Sequence, residues 1–200
     1  MSWDILAAMF ALAVASTWTP GPNNILLASS GARFGWRATR PHALGVALGF
    51  PAMLFVLAFG LGEAFQRSDS LREGLRWAAV AVLMWLAWRI GTAGRAREGE
   101  RAARPFTFLE AVAFQWINPK AWAMAVSAGA AFVSGAAPLR EAAICAGVFA
   151  LSGLGSAHAW AGFGAALRRF LSEDRRLRVF NLTMGLLIAA SAAWLAAADI

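Results

Sequence analysis

The chain of 200 residues has no tyrosine, one cysteine, two histidines and one lysine. A solitary Cys145 excludes an internal disulfide and reads as a small buried hydrophobe. Two histidines and few acids leave no set of metal ligands, so neither a metal site nor a cofactor is expected. Charge is scarce as well, at 14% of residues, where soluble domains carry about a quarter. The acids avoid the apolar stretches: Asp4, Glu63, Glu110, Glu141 and Asp199 all stand near their ends. What is abundant is apolar residue, at 60% of the chain, with a mean hydropathy of +0.57. A soluble enzyme and a nucleic-acid-binding protein are both excluded by this balance, despite a net charge of +7.

The charges are also clumped. Apart from Lys120, none falls in the windows 5–32, 41–62, 77–88, 111–139, 142–167 or 179–198. Most of these windows reach the roughly 20 residues that cross a bilayer as a helix. The expected fold is all-α, a polytopic membrane protein whose six transmembrane helices run over about 4–30, 42–62, 73–92, 107–133, 139–166 and 178–198. Arg76 and Arg89 shorten the third run, but both can snorkel to opposite interfaces, where Trp77, Trp85 and Trp88 form an aromatic belt. Met1-Ser2-Trp3-Asp4 lacks the basic start of a secretory signal, so the first helix is expected to be retained although Ala13-Val14-Ala15 resembles a cleavage site.

Arginine supplies the orientation. The connections after helices 1, 3 and 5 hold thirteen arginines, and the opposite side only Arg67, Arg72, Arg76 and Arg140. The positive-inside rule places the thirteen in the cytoplasm and both termini outside. Residues 93–105 read as a cytoplasmic linker dividing one domain, 1–200, into half-repeats of about 1–92 and 106–200. Three spans per half force the second half to insert upside down, giving a 3+3 inverted repeat. Each half also interrupts its first helix, at Pro20-Gly21-Pro22-Asn23-Asn24 and at Asn118-Pro119-Lys120. Paired breaks in inverted repeats are the architecture of many secondary transporters.

Backbone freed by proline at membrane depth survives only against protein or a water-filled cavity, so both breaks are expected to face inward. Asn23 and Asn24 are expected to cap the resumed helix, whose amide-rich end suits a carboxylate. Lys120, set against seventeen arginines, reads as chosen for a compact ammonium or for its capacity to lose a proton. The alternative is a snorkelling anchor near an interface. Gln115 and Asn118 lie three residues apart and on a continuing turn would share a face, as substrate ligands or as glue between helices. His158, and Lys120 itself, are the candidate proton relays, with an interhelical packing role as the other reading of His158. Asn181 and Thr183 either line the cavity or pack. Gly45 and Gly49 read as close-packing positions.

Thr19-Pro20-Gly21-Pro22-Asn23-Asn24-Ile25-Leu26-Leu27, with Gly31, Gly35 and Gly45-Val46-Ala47-Leu48-Gly49-Phe50, resembles the N-terminal signature of the lysine-exporter (LysE) family, also called the resistance-to-homoserine/threonine family. Phe114-Gln115-Trp116-Ile117-Asn118-Pro119-Lys120-Ala121-Trp122 is similar to its second signature. The resemblance implies an inner-membrane amino-acid exporter of six helices, coupled to a proton or cation gradient. Within the family the motifs are most similar to the branch exporting cysteine and O-acetylserine. Phe50-Pro51 departs from the acidic or polar residue many relatives carry there, which argues against an acid-based coupling site and a dibasic substrate.

The reading is therefore a plasma-membrane exporter of a small amino acid, with a coupling ion. Pro20, Gly21, Pro22, Asn23, Asn24, Gln115, Asn118, Pro119 and Lys120 would form its substrate site; a homo-oligomer is left open. Two rivals are a membrane-embedded assembly or chaperone protein, in which the breaks merely bend helices, and an intramembrane enzyme, for which the sequence offers almost no catalytic set.

Overall fold

A computed structural model describes residues 1–58, 68–93, 104–133 and 137–197. Among these residues every regular element is helical. The elements are α1 (Trp3–Trp18), α2 (Pro22–Phe34), α3 (Trp36–Val56), α4 (Asp69–Gly91), α5 (Phe108–Gln115), α6 (Pro119–Phe132), α7 (Pro138–Leu167), a 3-10 turn (Phe170–Ser172) and α8 (Asp174–Ala197). Glu63, Arg67, Asp199 and the greater part of the 93–105 linker lie outside the described residues.

The expected first helix is two, α1 and α2, bent by 53°. The fourth is likewise two, α5 and α6. The second begins at Trp36, six positions before the expected 42, because Pro41 lies inside α3 instead of at its start. Gly35 makes that early start possible: with φ at 84° it ends α2 and opens α3 in one residue, a conformation costly for any side chain. By length and apolarity, Pro138–Leu167 and Asp174–Ala197 can each cross a membrane, and the bent α1–α2 pair passes as a third span. Leu151, Leu182, Leu186 and Trp194 project outward, so the outer surface of α7 and α8 is apolar.

α7 is the central post, with α1, α2 and α3 packed on it. α3 also packs on α5, and α4 pairs with α8. The α2–α7 crossing is backbone against backbone: a Cβ on Gly31 would collide with the Ala161 carbonyl, and one on Gly164 with that of Ala28. Asn181 resolves toward packing, since its amide donates to the Ala93 carbonyl at 2.7 Å and so secures the end of α4. Thr183 donates to Val179 of its own helix. α5 opens with a capping box, in which Thr107 accepts from the Glu110 amide and Glu110 accepts from the Thr107 amide. Arg104 grips the same carboxylate bidentately at 2.6 and 2.7 Å, and those bonds raise the guanidinium's pKa above its ordinary value.

Candidate functional site

Both broken helices resume by the same local rule. Pro22 and Pro119 occupy the first turns of α2 and α6, where a missing N–H costs nothing and the fixed φ fits a helix. The caps differ. Asn118 caps α6, its side-chain oxygen accepting from the Lys120 amide at 3.2 Å. α2 is capped by Gly21 in extended backbone without any side-chain bond. Asn23 and Asn24 therefore do not cap α2 as the sequence suggests. They stand inside its first turn and point elsewhere, because Gly21 already supplies the extended residue ahead of Pro22.

Asn24 serves the other side of the break. Its amide donates at 2.8 Å to both the Thr17 and the Thr19 carbonyls, which the end of α1 leaves without helical partners. The Ser156 hydroxyl of α7 donates to the same Thr17 carbonyl at 2.7 Å. Ser152 shares a 2.8 Å hydrogen bond with the Thr17 hydroxyl. Asn23 pairs with Gln115 across the two halves: the Asn23 amide donates to Gln115 at 2.8 Å, and the Gln115 amide returns a bond at 3.3 Å. Gln115 is wholly buried and also donates to the Ala111 carbonyl at 2.8 Å.

Lys120 closes the arrangement. Its ammonium donates to the Thr19 hydroxyl at 2.7 Å, the Thr19 carbonyl at 3.0 Å and the Pro20 carbonyl at 3.3 Å. Three donors on a compact cation thus meet three oxygens at the partially negative end of α1. A planar guanidinium could not converge on them in this way. The Lys120 stem passes over Gly21, where an added Cβ would come within 2.8 Å of its Cδ.

This bridge stands between two spaces. On one side lies an inner cavity of about 50 Å³, room for a few waters. Thr17, Asn23, Asn24, Asn118 and Ser156 give it polar groups, and Phe50, Met124 and Phe149 apolar walls. On the other lies an open groove of about 450 Å³ between Pro20, Pro22, Pro119 and the α8 residues Ser191 and Trp194. Gly21 and Lys120 line both. Of the residues singled out by sequence, all nine at the breaks come together here. Gln115 is bonded to the cluster behind the cavity wall, while His158 is apart, its Nδ1 2.8 Å from the Leu154 carbonyl and its ring beside Trp36.

Sequence reasoning placed none of Thr17, Thr19, Phe149 and the two serines of α7 in the site, the serines reading only as small close-packing residues. Thr19 directly precedes Pro20 and Thr17 stands three residues before it, and hydroxyls beside a proline break in an apolar run are the signal that could have found them. The serines lie 135 and 139 residues from the Thr17 atoms they meet, and only the packing of α7 joins them.

The family model described as LysE type translocator matches residues 14–198. The "Cysteine/O-acetylserine efflux protein" of Escherichia coli (strain K12) is 33% identical over 134 residues, covering 66% of this chain and 68% of the relative. The protein of the same name from Shigella sonnei (strain Ss046) matches to the same extent. That from Shigella flexneri serotype 5b (strain 8401) is 33% identical over 130 residues, 64% of this chain and 66% of its own. No solved structure matches the chain.

Proposed function

The chain belongs to the LysE type translocator family, and we propose that it is a secondary transporter exporting a small neutral amino acid or derivative, of the cysteine and O-acetylserine kind, across the plasma membrane. The observation that carries this reading is the meeting of the two helix breaks through Lys120 and Thr19, beside a largely apolar cavity into which a few polar groups face. Helix ends that meet inside an apolar bundle expose main-chain dipoles where a zwitterion can use them, and a passive scaffold has no need of that arrangement.

In the proposed cycle the substrate carboxylate competes with the Thr19 and Pro20 oxygens for the Lys120 ammonium and takes the uncapped amides at the start of α2. Asn23, Asn24 and Asn118 offer hydrogen bonds to its amino group. Pro20, Pro22 and Pro119 hold the breaks open, and Gln115 fixes Asn23. Moving the ammonium from protein oxygens to a substrate oxygen loosens the tie between the halves, which lets one rock against the other. Six spans in a 3+3 inverted repeat, with both termini outside, are part of the same proposal. The matching Pro-led restarts of α2 and α6 and the pairing of α4 with α8 support it. So does the excess of arginine on one side. Export is coupled to a proton or cation gradient, with Lys120 and His158 the sequence candidates for the relay.

The test is counterflow in proteoliposomes loaded with reduced L-cysteine. External labelled L-cysteine should exchange inward with the purified chain and not with empty liposomes. Absence of exchange for L-cysteine and a panel of other small amino acids would favour a membrane assembly protein instead.

A further inference from the structure

A coupled exporter needs a group whose proton affinity changes between conformers, and the two sequence candidates each donate to a protein oxygen in this structure. The Lys120 ammonium is bound to three oxygens. His158 Nδ1 is tied to its own helix at Leu154. His42 of α3 differs. It is 1% exposed, its Nδ1 lies 3.3 Å from the Ser30 hydroxyl of α2, and its Nε2 is buried with no hydrogen-bond partner among the described residues. A buried polar atom without a partner is rare in folded proteins and calls for a reason.

The surroundings supply one. From the segment before α5, Phe106 lies against the imidazole with ring centroids 5.2 Å apart. α2 contributes Ser30. α7 faces this stretch of α3 with Ala157 and Ala161 of the shared apolar cluster. From α5 the charged group acting on the ring is Glu110, itself held by Arg104. One turn along α3, Val46 lines the inner cavity. His42, Gly45 and Gly49 share one face of α3. α5 lies on that face with almost no side chain between: a Cβ on Gly45 would meet Ala111 Cβ at 2.7 Å, and one on Gly49 would meet Val112 Cα at 2.8 Å. Helices in contact through glycine have few interdigitated side chains to resist a small slide.

We infer that His42 is the group that takes up and releases the proton coupled to transport, its protonation linked to the position of α3 on α5. The step is a proton binding to Nε2 in one conformer and leaving it in the other, with no other bond changed. An imidazolium has two N–H donors, and among the described residues this conformer offers one acceptor, the Ser30 oxygen. A conformer that brings Nε2 to an acceptor, the Glu110 carboxylate or water from the cavity, binds the proton more tightly. By linkage, protonation then favours that conformer. The inference rests on the carrier reading above.

The experiment reconstitutes the wild type, His42→Gln and His42→Asn and measures two rates with labelled, reduced L-cysteine. One is counterflow without a pH gradient, which moves no net proton; the other is uphill accumulation driven by an imposed gradient. Both variants should retain counterflow while uphill accumulation falls by about tenfold or more, and their counterflow should lose whatever pH dependence protonation of the imidazole imposes. Gradient-driven accumulation surviving in both variants would overturn the inference. A wild type without counterflow would overturn the carrier reading itself. Should both variants fail to fold, His158→Gln leaves His42 as the sole histidine. Its 15N-labelled imidazole should then change protonation on addition of L-cysteine, and a ring indifferent to L-cysteine at every pH would overturn the proposal.

Discussion

The Lys120 ammonium lies 2.7 Å from the hydroxyl of Thr19, a residue 101 positions earlier, so a single side chain ties the break in one half of the chain to the break in the other. The tie is electrostatic as well as geometric. Thr19 and Pro20 directly follow the last turn of α1, where the helix dipoles leave partial negative charge, and the ammonium sits against it. In the proposed cycle the same three donors would both join the two breaks and receive the substrate carboxylate.

Lys120→Ala leaves one carbonyl, that of Pro20, without its donor, and because that residue is exposed the loss of stability should be small. Counterflow should be abolished while the protein still reaches the membrane, because Asn24 continues to hold the Thr19 carbonyl. Lys120→Arg is the sharper test. It keeps the charge, but its flat fork cannot converge on three oxygens, so counterflow should still fall by about tenfold or more. Full activity in Lys120→Arg would reduce the residue to a generic cation.

Thr19→Val removes one acceptor and keeps the carbonyl, so the ammonium is held less firmly. Loss of one hydrogen bond to a charged group is worth about 1.5–3 kcal/mol, enough to change the closed population by about tenfold or more. Thr19→Ser restores the oxygen and should restore wild-type exchange. The ratio of the two counterflow rates measures the hydroxyl's share, and equal rates would deny it one.

Much of this site was legible in the chain. Two proline interruptions in otherwise apolar runs, and one lysine among arginines, are visible as letters, and they mark the residues that meet. What they touch was not legible. Asn23 and Asn24 look like helix caps because Asn caps helices, yet the extended Gly21 takes that position and frees both amides for partners outside their own turn. His42 follows Pro41 and reads as a helix start, whereas α3 has already begun and carries it into the core. Local propensity names the residue types available, and the crossing of α2, α3, α5 and α7 decides their partners.

That crossing can be tested apart from transport. Gly31→Ala or Gly164→Ala would drive a methyl into a carbonyl of the facing helix, and neither backbone can yield without losing its own hydrogen bonds. Overpacking of this kind costs about 1–3 kcal/mol or more, and the amount of folded protein in the membrane should drop. Gly147→Ala, also in α7, meets nothing within 4 Å. It should be neutral, or stabilising by up to about 1 kcal/mol through helix propensity. SDS-titrated unfolding of the three purified variants in micelles compares them, and equal losses would refute the close crossing.

The Asn23–Gln115 pair links α2 to α5 through two reciprocal amide bonds, and Gln115 is wholly buried. Removing either partner leaves the other with an unmet amide, so Asn23→Ala and Gln115→Leu should each destabilise by about 1–3 kcal/mol. The double variant leaves neither amide stranded, and should cost less than the sum by about 1 kcal/mol or more, the coupling expected of groups in direct contact. The same cycle on counterflow separates the two roles open to the pair. If the amides only join helices, the rates follow stability and the double variant recovers part of the exchange lost by the singles. If Asn23 also contacts substrate, every variant lacking it stays slow, however well the double variant folds.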